Sequence, residues 1–185
     1  MMEIRAVTVD DETPWELQHS EILAFIRKYN SGRVPPTVLR NLLRLTPSDL
    51  LQPGCSMLVA RIRAEDGERL AGVSCVMDYG RALCVVVVHP LYRGCGLGAE
   101  LLQAQQTRLK QLSCRVALSQ IQSLRLCFRA GMYASDLTRD PNGKPLLLLE
   151  TRPVSPTPAA SVSHTSKEGD IVVTTRPGHP NLVPQ

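Results

Sequence analysis

The chain has 185 residues, of which 43% are hydrophobic and 21% charged, and it carries a mild formal charge of +4. This composition predicts one globular domain with room for an appendage. The longest apolar run, residues 83–88, is far shorter than the roughly 20 residues of a membrane-spanning helix, so no such helix is predicted and no membrane partner is expected.

Other functional classes are disfavoured by what the composition lacks. With two phenylalanines and one tryptophan, the chain offers little for base stacking, so no nucleic-acid partner is expected. The six cysteines form no C-x-x-C pair, which indicates free thiols rather than a zinc site. The first residues show no basic end followed by an apolar segment, so no secretory signal is predicted and a cytoplasmic location is expected.

The first third of the chain predicts one strand and two helices. Residues 4–8 alternate as a short strand, and residues 13–16 read as a capping box with proline at the first helical position, which predicts a helix start. A second amphipathic helix follows the break at residues 31–36 and ends before Pro47.

The middle of the chain predicts a β-hairpin and then a buried strand. Residues 57–63 and 70–77 alternate in polarity around an acidic turn, as in an antiparallel hairpin. Residues 83–88 are apolar throughout, which predicts a central strand covered on both faces. A helix should follow the glycines near residue 96, and the last predicted elements are a strand at 114–118, a helix at 119–130 closed by Gly131, and a strand at 146–150.

A glycine-rich turn joins the apolar strand to the next predicted helix. It contains Arg93, Gly94, Gly96 and Gly98, and the first two glycines permit positive φ and close approach of a ligand. A helix N-terminus also presents unpaired N–H groups and a partial positive charge. The spacing lacks the G-x-G-x-x-G step and the P-loop lysine, so the turn predicts a metal-free phosphate site of another kind.

Two stretches resemble the GNAT family of N-acetyltransferases. Residues 88–99 are similar to motif A, whose signature is Arg/Gln-x-x-Gly-x-Gly/Ala, and residues 120–132 are similar to the motif B helix. The resemblance implies an α/β (α+β) fold with a mixed, mostly antiparallel central sheet flanked by helices. It also implies acetyl transfer from acetyl-CoA to an amine of a small molecule or protein, by direct attack in a ternary complex without a metal.

The same resemblance assigns a set of cofactor-binding residues. Loop amides would hold the pyrophosphate of acetyl-CoA, backbone groups of the preceding strand would hold its pantetheine arm, and Gln120 stands where the family commonly has Asn. Residues 29–54 would shape the acceptor pocket. The implied cofactor-binding residues are Val86, Val88, Arg93, Gly94, Cys95, Gly96, Leu97, Gly98, Ala99 and Gln120.

Two residues are candidates for catalysis, and each has an alternative structural role. Cys127 occupies the position of a family tyrosine that protonates the departing CoA thiolate, and a thiol with a reference pKa of about 8.5 could donate a proton there. The alternative, which we favour, is a small buried apolar residue. His89 is a candidate general base, because the strand carries no glutamate and an imidazole has a suitable pKa range. The alternative, which we favour, is a structural role at the end of the strand, before Pro90. Water or a free acceptor amine could serve instead.

The composition changes near the end of the chain. Residues 1–151 are predicted to form the acetyltransferase domain, and residues 152–185, rich in Pro, Ser and Thr, an extended or flexible tail with a β-prone stretch at 171–175. The alternative function is a catalytically weak or inactive domain that serves assembly, with the tail docking onto other copies or a larger complex. A looser resemblance to acetyltransferase-like proteins of tailed bacteriophages implies a virion location in that case.

Overall fold

The computed structural model describes residues 2–8, 13–30, 34–65 and 67–152. Apart from Arg152, the predicted tail lies outside the described residues. Within them, the helices are α1 (Trp15–Tyr29), α2 (Pro36–Leu43), α3 (Pro47–Leu50), α4 (Leu97–Leu109) and α5 (Ile121–Arg129). The strands are β1 (Met2–Ala6), β2 (Ser56–Ala64), β3 (Gly67–Met77), β4 (Leu83–Val88), β5 (Ser113–Ala117), β6 (Tyr133–Arg139) and β7 (Pro145–Glu150).

The strands form two antiparallel sheets, which agrees with the predicted fold class. The first sheet has the order β1-β2-β3-β4 and the second the order β5-β7-β6. In the first sheet Val85 of β4 lies opposite Cys75 of β3, and in the second Val116 of β5 lies opposite Leu147 of β7. None of the described helices is long and apolar enough to cross a bilayer.

The prediction that residues 83–88 form a central strand is wrong in one respect. The bounds of β4 match the prediction, but β4 is the last strand of its sheet, and no described strand pairs with its outer edge. Its two faces are nevertheless both covered. Leu83 and Val87 pack into the cluster around α1, whereas Cys84 and Val86 pack against the cluster beneath α4 and α5. The unbroken apolar run therefore reflects two covered faces, and not a strand on each side.

β4 and β5 start close together, at the point that we call the apex. Gly80, just before β4, is so close to the first residue of β5 that an added Cβ would lie 2.1 Å from the carbonyl oxygen of Ser113. β4 and β5 do not pair with each other, although both lead away from the apex. A cleft therefore separates β4 from β5 where two neighbouring strands of one sheet would otherwise be hydrogen-bonded.

Several predicted boundaries shift in the structure. The first strand is Met2–Ala6 rather than residues 4–8, although the N–H of Val7 still donates to the carbonyl of Met57. The predicted capping box is wrong: Pro14 is the N-cap of α1, no side chain caps it, and the carbonyl of Thr13 accepts from the side-chain amide of Gln18 at 2.7 Å. α5 ends as predicted, with Gly131 at φ +84°.

Candidate functional site

A cleft of about 1370 Å³ surrounds the outer edge of β4. On one side it is lined by the end of α1 and the start of α2, including Tyr29, Val34 and Val38. On the other side it is lined by the turn after β4, the first turn of α4, β5 and α5. The first side falls within the predicted acceptor region, residues 29–54. All the predicted cofactor residues except Cys95 and Leu97 line the cleft.

The outer edge of β4 presents to the cleft backbone groups that pair with no other described strand. The N–H of His89 donates to the carbonyl of Ala71 at 2.9 Å, so this residue points its backbone groups toward β3. Because backbone direction alternates along a strand, Cys84, Val86 and Val88 point theirs away from β3. We call these outward groups the free edge of β4. It offers the donors and acceptors that an amide-bearing ligand needs.

The glycine turn places further amides at the end of this edge. Gly94 and Gly96 adopt φ of +84° and +97°, and Gly96 is the N-cap of α4. The N–H groups of Ala99 and Glu100 already donate to the Gly96 carbonyl, at 2.8 and 3.1 Å. Within the described chain, the amides of residues 94–98 donate to no backbone acceptor. These amides, at a helix N-terminus, suit an anion such as a phosphate.

The side chains of this turn have structural roles. Leu97 is buried in the core, so only its backbone can face a ligand, whereas Cys95 is exposed. Gly98 lies against α5, where an added Cβ would meet Leu126 Cδ1 at 2.6 Å. Ala99 packs at the border of the cluster beneath α4 and α5. The lack of a side chain at Gly98 therefore lets the start of α4 lie close to α5.

Arg93 makes contacts that the sequence did not indicate. Its guanidinium donates from Nε to the carbonyl of Val88 at 2.9 Å, and from a terminal nitrogen to the carbonyl of Tyr29 at 2.7 Å. Both acceptors are main-chain atoms, and main-chain atoms leave no trace in a sequence pattern. In this structure Arg93 joins the end of β4 to the end of α1, and its charge still lies at the mouth of the cleft.

His89 sits in an aromatic cluster on the α1 side of β4. Its ring centre lies 4.5 Å from that of Tyr29 and 5.6 Å from that of Tyr92, with Phe25 at 6.4 Å. Its Nδ1 accepts from the N–H of Leu91 at 3.2 Å, an interaction that caps the short turn after β4. The described residues that line the cleft do not include His89. This geometry fits a structural role for His89, as a cap of the turn that follows β4, better than a role as general base.

Cys127 is buried at the base of the cleft. Its Sγ lies 3.9 Å from Sγ of Cys114, and both thiols belong to the cluster beneath α4 and α5. The hydrogen bond with Cys114 and burial raise the pKa of Cys127 far above its usual range. The thiol therefore keeps its proton, which weakens it as an acid that must release one.

The cofactor side of the cleft is basic. Arg115 on β5 and Arg125 and Arg129 on α5 line it, and none of the three makes an ion pair with another described residue. Gln120 lies there as well, as the N-cap of α5. Sequence reasoning missed the arginines, although the spacing of four between Arg125 and Arg129 places both on the same side of α5. Guanidiniums that make no ion pair with a described residue favour an anionic ligand in this cleft.

We compared the chain with protein families and with curated proteins. The model of the acetyltransferase (GNAT) family matches residues 16–132. No curated protein matches the chain in sequence.

Solved structures share the fold. The aminoglycoside acetyltransferase AAC(6')-Ib, in complex with paromomycin and acetyl-CoA, is 15% identical, with 84% of this chain and 99% of that chain covered and a TM-score of 0.58. A protein described as a GNAT-family acetyltransferase from Desulfovibrio desulfuricans is 15% identical, with 81% and 98% covered and a TM-score of 0.61. A variant of spermidine N-acetyltransferase from Vibrio cholerae is 13% identical, with 80% and 94% covered and a TM-score of 0.53.

Proposed function

The chain belongs to the GNAT acetyltransferase family, and from this premise we propose that it transfers an acetyl group from acetyl-CoA to an amine of a small molecule or protein. Acetyl-CoA is the cosubstrate of this chemistry. The observation that carries the proposal is the free edge of β4, which leads directly into a turn whose amides donate to no backbone acceptor among the described residues. The two together form one continuous surface for an elongated anionic ligand with amide groups.

The glycine turn is the proposed site of the pyrophosphate. The amides of residues 94–98 would donate to its oxygens, and the partial positive charge of the α4 N-terminus would add to this attraction. Arg125 and Arg129 line the same cleft and supply further positive charge to it. Arg93 would act mainly by holding Val88 and Tyr29 in place, because its guanidinium is already hydrogen-bonded to both.

The free edge of β4 is the proposed site of the pantetheine arm. Val86 offers an N–H and a carbonyl to the cleft, and the N–H of Val88 points the same way. The carbonyl of Val88 accepts from Arg93 and is therefore less available. An N–H of this edge that lies beside the thioester would also stabilise the charge that develops on its carbonyl oxygen during attack.

The acceptor amine would enter from the side of α1 and α2. Tyr29, Val34 and Val38 line this side, so it is largely aromatic and apolar. Direct attack requires the amine to be neutral, and β4 carries no acidic side chain. We therefore propose that the cleft contributes mainly orientation, and that water or the neutral fraction of the acceptor removes the need for a dedicated base. General-base catalysis by His89 and acid catalysis by Cys127 stay predictions.

Calorimetric titration of the full chain with acetyl-CoA, and then with CoA, tests this proposal. We expect micromolar dissociation constants, equivalent to about −8 kcal/mol, because the loop amides and the free edge are already in place. Binding of acetyl-CoA would justify a screen of amine acceptors. The absence of binding heat, confirmed by an unchanged melting temperature with acetyl-CoA, would contradict the proposed function.

A second candidate function is supported by exposed apolar residues on α5. Ile121 and Phe128 are 53% and 48% exposed, and their spacing of seven puts them on one face of the helix. Such a face suits contact with another protein. Position 127 also holds a buried cysteine instead of the tyrosine that would protonate the departing CoA thiolate, which fits a domain with little acetyltransferase activity. In this proposal residues 1–151 form the domain, and residues 152–185 act as a docking segment in an assembly.

Size-exclusion chromatography separates the two proposals. The full chain is compared with a chain that ends at Glu150, which retains every strand and helix of the described structure. The assembly role predicts that truncation abolishes an oligomer or complex. A monomer in both samples, with the same affinity for acetyl-CoA, would leave acetyl transfer as the function of the domain.

A further inference from the structure

Three cysteines meet at the base of the cleft, and acetyl transfer as proposed needs none of them. Cys84 lies on β4, Cys114 on β5 and Cys127 on α5, and all three line the cleft. The thiols of Cys114 and Cys127 are 3.9 Å apart, and the thiol of Cys84 lies near enough to Cys114 to help raise its pKa. We call these three residues the apex thiols, because Cys84 and Cys114 stand at the ends of β4 and β5 that are nearest the apex.

The free edge of β4 leads from the glycine turn to Cys84. Four residue steps separate Val88 from Cys84, which correspond to about 13 Å of extended strand. Under the proposed function, the pyrophosphate lies beyond Val88 and the pantetheine arm follows this edge toward the apex. The sulfur at the far end of the arm would then lie beside the apex thiols.

Cys84 is the apex thiol that is best placed to react. It is half-buried, whereas Cys114 and Cys127 are buried. The pKa of Cys114 is raised: its hydrogen bond with Cys127 acts to lower it, but the neighbouring thiol of Cys84 and burial outweigh that effect. The pKa of Cys127 is raised as well. Because the thiolate is the nucleophile in disulfide exchange, Cys114 and Cys127 are poor candidates.

A metal site is not the better explanation of this cluster. Among the residues that the structure describes, no group of three metal-ligating side chains is arranged to hold an ion. A cleft that binds CoA brings the thiol of CoA next to Cys84. The reaction available to these two sulfurs is thiol–disulfide exchange.

We propose that Cys84 is a site of thiol–disulfide exchange with oxidised coenzyme A, so that the disulfide form of CoA leaves one CoA attached to β4. This rests on the proposed function, because it requires the cleft to bind CoA. The Cys84 thiolate attacks one sulfur of the CoA disulfide, a bond forms between Cys84 Sγ and that sulfur, and the original S–S bond breaks. The second CoA leaves as a thiolate and takes up the proton that Cys84 lost.

The balance of this step needs no reactant other than the CoA disulfide. The sulfur of Cys84 is oxidised and the sulfur of the departing CoA is reduced. The attached CoA occupies the place of acetyl-CoA, so the modified chain cannot bind its cosubstrate. A thiol reductant reverses the reaction and releases CoA, so the modification would inhibit acetyl transfer reversibly.

Peptide mapping provides a direct test, because trypsin places each of the six cysteines in a separate peptide. The full chain is incubated with CoA disulfide or, in parallel, with glutathione disulfide; free thiols are then blocked in acid before digestion and mass spectrometry. We expect CoA on the peptide of residues 82–93, which contains Cys84 alone. Dithiothreitol should remove it, and excess acetyl-CoA should suppress its formation.

Two variants give the matched controls. Cys84→Ser should lose this adduct, whereas Cys55→Ser, at a half-buried cysteine that does not line the cleft, should keep it. Cys95 is exposed in the glycine turn, so it should react with either disulfide. Equal labelling of Cys84 by glutathione disulfide, or an unlabelled Cys84 in a chain that binds acetyl-CoA by calorimetry, would overturn this proposal alone. Failure to bind acetyl-CoA would overturn the proposed function and this inference together.

Discussion

Replacement of Gly96 with valine is expected to weaken the binding of acetyl-CoA by about 10²-fold or more. Gly96 has φ +97° and is the N-cap of α4. An added Cβ would meet only Glu100 Oε1, at 3.8 Å, so space is available and the backbone conformation is the obstacle. A non-glycine residue in such a conformation costs about 1–3 kcal/mol, and a β-branched residue is especially unfavourable.

The loss of affinity follows from the amides, not from the valine side chain itself. Relaxation of the strain would rotate the peptide groups on both sides of Gly96 away from the phosphate. Each hydrogen bond to a charged group contributes about 1.5–3 kcal/mol, so two misdirected amides account for a loss of about 10² to 10⁴ in affinity.

Calorimetry on Gly96→Val and on a matched variant, Gly67→Val, checks this prediction. Gly67 has φ +114° with nothing within 4 Å of an added Cβ, and it lies in the β2–β3 hairpin, outside the cleft. Gly67→Val should therefore carry similar backbone strain without any effect on acetyl-CoA. Unchanged binding in Gly96→Val, or an equal loss in both variants, would contradict the assignment of the glycine turn.

Replacement of Gly80 with alanine is expected to lower the free energy of unfolding by about 3 kcal/mol or more. Gly80 is buried with φ +89°, and an added Cβ would lie 2.1 Å from the Ser113 carbonyl oxygen and 3.1 Å from Leu112 Cδ1. The nearest atom belongs to the backbone, so it cannot move aside as a flexible side chain could. The start of β5 would have to shift away from Gly80 and the residues that precede β4.

Thermal denaturation of Gly80→Ala against Gly131→Ala separates the clash from backbone strain. Gly131 has φ +84°, close to that of Gly80, but an added Cβ there would meet nothing within 4 Å. A loss of 3 kcal/mol in a domain of this size lowers Tm by about 6–12 °C. Gly131→Ala should lose only a fraction of that. Equal losses would show that β5 does not approach Gly80 as closely as in this structure.

The strands and the glycine turn were predictable because their signals are local. The bounds of β4 matched the apolar run, and the alternation of β2 and β3 gave their pairing, since side-chain direction in a strand has a period of two. The turn was readable because few residues other than glycine tolerate the φ values of Gly94 and Gly96.

What the sequence did not reveal depends on contacts between distant parts of the chain. An apolar run reports that both faces of β4 are covered, but it does not distinguish a neighbouring strand from an open cleft. The hydrogen bonds of Arg93 end on the carbonyls of Val88 and Tyr29, and main-chain acceptors have no sequence signature. β6 went unpredicted because its residues are largely exposed, so no apolar alternation marks it.

The free edge of β4 should also appear in the exchange of amide hydrogens with deuterium. Val85 and Val87 have their N–H groups directed at β3, whereas those of Cys84, Val86 and Val88 face the cleft. Adjacent residues of one strand should therefore alternate between slow and fast exchange in the unliganded protein. Bound acetyl-CoA would slow the fast members and erase the alternation, so that β4 would exchange as if another strand had been added to its sheet.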